Sequence, residues 1–164
     1  MIEYEFTLKF AIPADLKTET LEDQLFEAGC DDALVGLGQR GRLALNFARV
    51  ANSAEAAITS AIEDVQTAIP RARLVEAGPD LVGMTEMAEL FGFSRQNMRK
   101  LVQRHTEDFP LPVHEGQKTL WHLADVLDWF ASQQQRPTDP VLQEVARVGM
   151  AVNVRQQAER LALH

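Results

Sequence analysis

The chain has 164 residues, a formal net charge of -8, 46% hydrophobic and 24% charged residues, which is the ordinary composition of one or two globular domains. No apolar run is long enough to cross a bilayer, and the opening MIEYEFTLKF alternates instead of forming a basic and then an apolar segment, so we expect neither a membrane partner nor a secretory signal. The single cysteine, Cys30, excludes an internal disulfide, fits a reducing cytoplasm and is expected to be a small buried residue at a helix end.

The negative charge is concentrated in the first half of the chain. Residues 1–77 carry seven Lys or Arg against thirteen Asp or Glu, residues 78–136 carry six against eight, and residues 137–164 carry three against three. This balance argues against unspecific, charge-driven binding to nucleic acid or to anionic membranes. A DNA partner would therefore contact the second half, with the first half facing away.

The first 77 residues predict strands and helices in a regular order. Apolar residues alternate with polar ones from Ile2 to Ile12, which predicts a strand covered on one face. Leucines at helical spacing between Thr18 and Gly29, with acids early and glycine last, predict a helix.

A hairpin and a second helix follow. The alternating positions are Ala33, Val35 and Leu37, then Leu43, Leu45 and Phe47, on either side of the turn Gly38–Gly41. Asn52-Ser53 opens a helix with the apolar stripe Ile58, Ile62, Val65 and Ile69, which Pro70 closes, and Arg73–Ala77 is a short last strand. The order strand, helix, strand, strand, helix, strand predicts an α+β fold with a ferredoxin-like βαββαβ domain over residues 1–77.

Two breaks divide the rest of the chain. Gly78-Pro79-Asp80 is the predicted linker to a second unit, residues 81–135, which has the pattern helix, tight turn, helix, hairpin, helix. After the break at 136–140, Asp139 and Pro140 predict the cap and first residue of a final helix, in a third segment over residues 138–164. Valines at 141, 145, 148 and 152 are typical of a helix-pairing seam, which fits oligomerisation and packing on its own chain equally well.

The stretch MTEMAELFGFSRQNMRKLVQR, residues 84–104, predicts a helix-turn-helix. Thr85 is expected to cap a short helix, Glu86 to Phe91, and Ser94 to cap the next one. The inward residues of the short helix are expected to be Met87, Leu90 and Phe91, with Gly92 at the sharp turn and Phe93 plugging its inner side.

The second helix of this motif combines an apolar face with an acid-free basic face. Met98, Leu101 and Val102 fall on the side that must face the core. The candidate DNA-binding residues on and around the other side are Ser94, Arg95, Gln96, Asn97, Arg99, Lys100, Gln103 and Arg104. Arg can bind guanine, and Gln or Asn can bind adenine, through two hydrogen bonds in the major groove, while a capping Ser and free helix N–H groups can hold a phosphate.

The same stretch resembles the start of the winged helix-turn-helix of the MerR and AlpA/excisionase-like families. Ala88, Gly92, Phe93 and Ser94 match the core pattern A-x-x-x-G-[VF]-S that precedes a basic helix in those families. The segment FPLPVHEGQKTLW, residues 109–121, is similar to the wing of AlpA-like proteins, and residues 123–131 to their closing helix. The resemblance covers Leu81–Ala131 and implies that the wing lies against DNA, with Lys118 as the matching contact, together with Gln117 and His114. Trp121, Leu123, Val126, Leu127, Trp129 and Phe130 are expected in the core.

Other chemistry fits the sequence poorly. His105, His114, His122 and His164 match neither a helical i,i+4 pair nor a Cys/His finger, so no metal is expected, and no G-x-S-x-G elbow is present. Gly36–Gly41 resembles a phosphate loop only superficially, because it joins two strands. The outward strand positions lack aromatic residues for RNA stacking, and the segment after the first strand lacks the arginine-bearing phosphate loop of acylphosphatases.

We therefore expect a cytoplasmic, non-enzymatic protein without cofactors that binds double-stranded DNA, as a transcriptional regulator of a bacterium or mobile element. One reader covers too few base pairs for useful specificity, so a homodimer on paired half-sites is expected. The valine seam and the open face of the N-terminal sheet are the candidate dimer contacts. The alternative is a protein-interaction module, such as an antitoxin or adaptor, whose acidic N-terminal domain binds a partner protein.

Overall fold

The computed structural model describes residues 1–36, 39–134 and 136–162. The fold is mixed α/β. Its elements are β1 (Ile2–Ala11), α1 (Thr18–Glu27), β2 (Ala33–Gly36), β3 (Arg42–Ala51), α2 (Ala54–Ala68), β4 (Arg73–Gly78), β5 (Leu81–Val82), α3 (Met84–Phe91), α4 (Arg95–Arg104), β6 (Trp121–His122), α5 (Leu123–Ser132) and α6 (Pro140–Arg160). The predicted hairpin positions Leu37 and Gly38, the last residue of the predicted second unit, Gln135, and His164 lie outside the described residues.

The N-terminal part is a four-stranded sheet with the strand order β2-β3-β1-β4, in which every neighbouring pair is antiparallel. The order of strands and helices over residues 2–78 is the one that the sequence predicts. Alternation explains the layering: Tyr4, Phe6, Leu8 and Phe10 of β1 are buried beneath the helices, as the period of two requires. Phe6 stacks on Phe47 of β3 with ring centroids 5.1 Å apart, and Cys30 is buried in the same core, as expected.

A buried arginine interrupts this apolar layer. Arg49 is 8% exposed and sits on the covered face of β3, where its Nε and Nη2 donate to Asp32 at 2.8 and 3.0 Å. Its Nη1 donates to Asp64 at 2.9 Å and its Nη2 to the carbonyl of Gly29 at 2.8 Å. Although burial alone would lower the pKa of Arg49, its bonds to the two carboxylates raise it. The cluster ties the end of α1 and the middle of α2 to the sheet.

The second part is a small helical unit that is closed by a strand pair. β5 pairs antiparallel with β6, so the chain that enters α3 lies beside the chain that enters α5. The core that the sequence predicts here is confirmed: Trp121, Leu123, Val126, Leu127, Trp129 and Phe130 are all buried.

Two details of α3 differ from the prediction. The helix begins two residues earlier, at Met84 with Gly83 as the N-cap, so Thr85 lies inside the first turn and does not cap the helix. The side chain of Glu86 reaches back and accepts from the Gly83 N–H at 2.9 Å, which replaces a side-chain cap. Leu90 is 45% exposed instead of inward, and the small Ala88 takes its place in the core.

The final helix α6 packs on its own chain. Asp139 Oδ1 accepts from the Val141 N–H at 2.9 Å and Pro140 is the first helical residue, as predicted. Val145 is buried in the sheet core, with Val141, Val148 and Val152 packed against it. Ala146, one residue along, is buried in the core of the helical unit. The four valines therefore pack against the sheet of their own chain, while α6 reaches the helical unit through the neighbouring Ala146.

A series of side-chain hydrogen bonds crosses the junction between the sheet part and the helical unit. The side-chain amide of Asn153 accepts from the N–H of Ala77 at 2.7 Å and donates to its carbonyl at 2.8 Å, so it satisfies the outer edge of β4. It also donates to Asp80 Oδ2 at 2.8 Å, and Asp80 Oδ1 lies 2.7 Å from His122 Nδ1 of β6. Asp80, predicted as part of a linker, is thus a buried link between the sheet, α6 and the helical unit.

Candidate nucleic-acid interface

The turn between α3 and α4 is fixed by a glycine in a left-handed conformation and by contacts with Arg136. Gly92 adopts a left-handed φ of 73°, a conformation that is energetically unfavourable for a residue with a side chain. The Phe93 N–H donates to Ala88 O at 2.8 Å and so closes the C-terminus of α3. Arg136 adds a second lock, because its Nη2 donates to Phe91 O at 2.7 Å and its guanidinium lies 4.5 Å from the Phe93 ring centroid. The angle between the two helices is therefore held from both sides.

Ser94 starts α4 as predicted. Its Oγ accepts from the Asn97 N–H at 3.1 Å. The N–H groups of the two preceding residues, Arg95 and Gln96, lie in the first turn, where a helix supplies no acceptor for them. They can therefore donate to an anion at the helix N-terminus.

The two faces of α4 separate as the helical wheel indicates. Met98 is fully buried, and Leu101 and Val102 are partly buried against the same core. The predicted DNA-contacting residues are all exposed: Ser94, Arg95, Gln96, Asn97, Arg99, Lys100, Gln103 and Arg104. A continuous polar surface thus runs along the helix opposite Met98.

The cations of this surface are not neutralised within the described part of the chain. The salt bridges found there involve none of Arg95, Arg99, Lys100, Arg104 and Lys118. Because four of these cations lie within one ten-residue helix that has no acid, α4 carries a charge of +4 although the chain is acidic overall.

The segment that the sequence predicts as a wing, residues 109–121, forms a short hairpin beside α4. His114 bridges antiparallel to Leu120, with Val113 N donating to Leu120 O at 2.8 Å and Leu120 N to His114 O at 2.9 Å. The indole of Trp121 donates to Pro110 O at 3.0 Å and anchors the extended approach segment. The exposed turn of the hairpin carries Lys118.

The wing and the start of α4 form one cleft. Its volume is about 540 Å³, and it is lined by Arg95 and Arg99 from α4 and by Gln117, Lys118 and Thr119 from the wing. Thr85 and Glu86 of α3 close it on a third side. The fold thus brings three predicted residues, Arg95, Arg99 and Lys118, to a common opening.

The remaining predicted residues lie outside this cleft. Gln96, Lys100 and Gln103 continue the exposed face along α4, while Asn97 and Arg104 lie at its far edge. Sequence reasoning missed Thr85 and Thr119 as lining residues. Thr85 was misread because serine and threonine before a helix usually signal a cap, and the approach of Thr119 depends on the pairing of the wing, which has no local signal.

Two carboxylates in this part of the chain, those of Glu86 and Asp108, accept hydrogen bonds from groups within the fold. Glu86 accepts from Gly83, and Asp108 Oδ2 accepts from the indole of Trp129 at 3.0 Å. Glu115 and Glu107 are exposed. Glu86 and Asp108 therefore have hydrogen-bond partners other than the cations of α4.

Two of the histidine side chains, those of His105 and His122, make contacts within the fold. His105 packs edge-on against Trp129 with ring centroids 5.1 Å apart, and His122 contacts Asp80 as described above. Among residues 1–36, 39–134 and 136–162, no group of three or more His, Cys, Asp or Glu is placed to hold a metal ion. Within the same ranges, none of the helices has both the length and the apolar character that crossing a membrane requires.

Comparison with protein-family models, with curated proteins and with solved structures finds no match for the chain. The geometry and the charge of the α4 surface are therefore what point to a function.

Proposed function

We propose that this chain is a sequence-specific DNA-binding protein, a transcriptional regulator and not an enzyme, that inserts α4 into the major groove. Residues 81–131 act in this proposal as a winged helix-turn-helix, and residues 1–78 as a ferredoxin-like domain for association or regulation. The observation that carries the proposal is the exposed, acid-free face of α4, whose unpaired cations continue into Lys118 across the cleft.

The dimensions of α4 suit a groove. Ten residues span about 15 Å, and the helix with its side chains is about 10–12 Å across, close to the width of about 12 Å of the major groove. Gln96, at the helix N-terminus, and Gln103, two turns further along, present amides to base edges. Arg95 and Arg99 lie on the side that faces the wing and can bind guanine or the phosphates that border the groove.

The cleft supports a division of labour between α4 and the wing. Lys118 carries its charge on a flexible stem, which suits a phosphate better than a base edge. A DNA strand that enters the cleft would meet Lys118 on one wall and Arg95 on the other. Backbone contacts of this kind fix the register in which the amides read bases.

The test is DNA selection from a random library with the purified full chain, followed by fluorescence polarisation on the selected duplex at several salt concentrations. Each lost phosphate contact should reduce the salt slope by about 0.9, so Lys118→Ala and Lys100→Ala should weaken all sequences alike and flatten the slope. Gln96→Ala and Arg95→Ala should instead relax the base preference, costing about 1–3 kcal/mol at the affected positions. Arg155→Ala, an exposed cation of α6, is the matched control.

Failure has a clear form. If no duplex is enriched, or if binding is identical for all duplexes and insensitive to Gln96→Ala, α4 does not read sequence. If Arg155→Ala weakens binding as much as Lys118→Ala, the binding surface lies elsewhere.

A second function, an adaptor that binds a basic protein, is favoured by one observation on α1. Phe26 is 66% exposed, and Glu22, Asp23 and Glu27 are exposed around it. An exposed apolar side chain surrounded by acids is complementary to a basic partner surface that offers an apolar contact. Phe26→Ser should leave DNA binding unchanged under the DNA-binding proposal, and it should abolish partner capture if the adaptor function is correct.

A further inference from the structure

The face of the sheet that the helices leave open consists of ordered rows across the strands. Residues paired directly across an antiparallel ladder share a face, so the registers define each row. The middle row is Leu34, Asn46, Thr7 and Gly78, one residue from each of the four strands. On one side of it follow the row Gly36, Ala44, Lys9 and Glu76 and then the row Arg42, Ala11 and Arg73. On the other side follow Ala48 with Glu5 and then Val50 with Glu3.

Charge on this open face is divided between its two ends. The first end carries Lys9, Arg42 and Arg73, with Glu76 as the single acid in those two rows, 3.6 Å from Lys9. The other end carries Glu3 and Glu5 and no cation in its two rows. The end with the arginines therefore has a net charge of +2 and the opposite end a net charge of -2, about a neutral middle row.

The open face also exposes apolar side chains without a partner in the described structure. Leu34 in the middle row is 77% exposed, and Val50 at the acidic end is 56% exposed. The alanines and the glycine between the charges leave two depressions in the face, one of about 490 Å³ beside Lys9, Arg42 and Arg73 and one of about 580 Å³ beside Glu5, Thr7 and Leu34, whose rim includes Pro79 and Leu142. A face with opposite charge at its ends is electrostatically complementary to a copy of itself that is turned end for end.

We propose that two copies of this chain pair through the open face, related by a two-fold axis that runs along the middle row. Rotation about this axis turns one open face onto the other and reverses the strand direction. Glu5 of one copy then lies over Lys9 of the other, and Glu3 lies over the row that holds Arg42 and Arg73. Residues of the middle row meet their own counterparts, so Leu34 packs beside Leu34 of the other copy.

Charge selects this axis over the alternative. A two-fold axis parallel to the strands would also bring the two faces together, but each row would then meet itself. The two acidic ends would then meet each other, and so would the two ends that carry Arg42 and Arg73, which like-charge repulsion disfavours. In the proposed dimer, the sheets pack face to face about 10 Å apart with the angle of roughly 30° that sheet twist imposes.

The other dimer surfaces of the N-terminal part are less suitable. The outer edge of β4 is covered by α6, since Asn153 and Gly149 lie against the backbone of Ala77. The edge strand β2 has four residues, which gives a short ladder for edge-to-edge pairing. The valine seam of α6 is buried within the chain, as shown above.

The area predicts a weak dimer. The four strands hold 30 residues, and each covers about 16 Å² of the sheet plane, so the projected contact is about 480 Å² per copy and about 960 Å² in total. Specific interfaces usually exceed about 1,000 Å², so we expect a dissociation constant in the range of about 10–100 μM and a strong dependence on salt.

This inference supplies the dimer that the proposed function expects, but it is tested without DNA, so that each can fail alone. Sedimentation velocity of the full chain over a concentration series at low and high salt gives the dissociation constant of the dimer. Lys9→Glu and Glu5→Lys should each weaken the dimer at least tenfold, because each change creates two repulsive pairs by symmetry. The double variant Glu5→Lys/Lys9→Glu restores opposite charges between positions 5 and 9, but it removes the net charges of the two ends and places an acid beside Glu76, so it should bind more tightly than either single variant without full recovery.

The matched control is Lys17→Glu, which makes the same charge change at an exposed position outside the open face, before α1. Leu34→Asp should also weaken the dimer, and circular dichroism checks that each variant is folded. The proposal is overturned if the chain stays monomeric at about 1 mM in low salt, roughly ten times the upper end of the expected dissociation constant. It is equally overturned if the double variant stays as weak as the single ones, or if Lys17→Glu has the same effect as Lys9→Glu.

Discussion

Replacing Asn153 by aspartate tests the junction on which the arrangement of the two parts depends. The amide of Asn153 has one accepting and one donating group, and Ala77 uses both. The donating group also bonds Asp80, which is itself buried. Asn153→Asp keeps the shape and the acceptor for the Ala77 N–H, but it replaces the donor by an oxygen that faces a carbonyl and a carboxylate.

The size of the effect follows from these contacts. Two hydrogen bonds are lost, each leaving a buried acceptor unpaired at a cost of about 1–3 kcal/mol, and a second carboxylate is placed beside Asp80. We expect a loss of about 3–5 kcal/mol in the free energy of unfolding at neutral pH, which lowers Tm by roughly 6–20 °C for a chain of this size. Asn97→Asp, an exposed position in the first turn of α4, is the control and should change stability by less than about 0.5 kcal/mol.

The pH dependence of the stability loss in Asn153→Asp distinguishes a buried, unpaired carboxylate from a general disruption of the fold. Burial and the neighbouring Asp80 should raise the pKa of the introduced carboxyl in the folded state above its unfolded value of about 4. The protonated form can donate a hydrogen bond again, so the deficit relative to the wild type should shrink as the pH falls through the folded-state pKa. Urea unfolding of both proteins between pH 4 and about 8 measures this difference. A deficit below about 1 kcal/mol, or one that does not depend on pH, would refute the reasoning.

Three further predictions concern stability. Arg49→Met should lower the free energy of unfolding by about 2–4 kcal/mol, because it leaves the carboxylates of Asp32 and Asp64 without their cation. The loss is limited because both carboxylates are partly exposed and can be hydrated. Urea unfolding measures it, and unchanged stability would contradict a stabilising role for Arg49. Burial, and then Asp64, raise the pKa of the Cys30 thiol from 9.0 to about 11, so stability should fall as the pH rises through this interval, on the order of 2–3 kcal/mol, and less steeply in Cys30→Ala. Gly92→Ala should cost about 1 kcal/mol and Gly92→Asn less, since the cost is conformational and no atom lies within 4 Å of an added Cβ; equal stability of the three proteins contradicts it.

The elements of the fold could be predicted because they are encoded locally. The period of two in β1 places its aromatic residues under the helices, and Asp139 with Pro140 marks the start of α6 to the residue. The exposed face of α4 was equally accessible, since a helical wheel needs only the spacing of Met98, Leu101 and Val102. These signals depend on neighbours in sequence, which is where periodicity and capping carry information.

The contacts that hold the parts together could not be predicted, because their partners are distant in sequence. Asn153 meets Ala77 across 76 residues, and Arg136 meets Phe91 across 45. Both are polar side chains that a sequence pattern assigns to solvent. The cap of α3 was misplaced for a related reason: Gly83 has no side chain to announce it, and the Glu86 carboxylate supplies the bond from inside the helix. The cleft at Lys118 likewise depends on the pairing of His114 with Leu120.

The buried junction gives the two proposals a joint consequence for DNA. Because α6 packs on β4 and its residues are buried in both cores, the position of α4 relative to the open face is set by one continuous packed body. A dimer formed through the open face would therefore hold its two α4 helices at one fixed separation. A DNA site with two half-sites would then bind well only when the half-site spacing matches this separation, and good spacings would recur with each turn of DNA, about every 10–10.5 base pairs. Gel-shift competition between selected sites whose spacers differ by single base pairs measures this. Affinity should fall at least tenfold half a turn away from the optimum, and Lys9→Glu should remove that dependence while leaving binding to a single half-site intact. Equal affinity for every spacer would show that the two readers are not held by a common body.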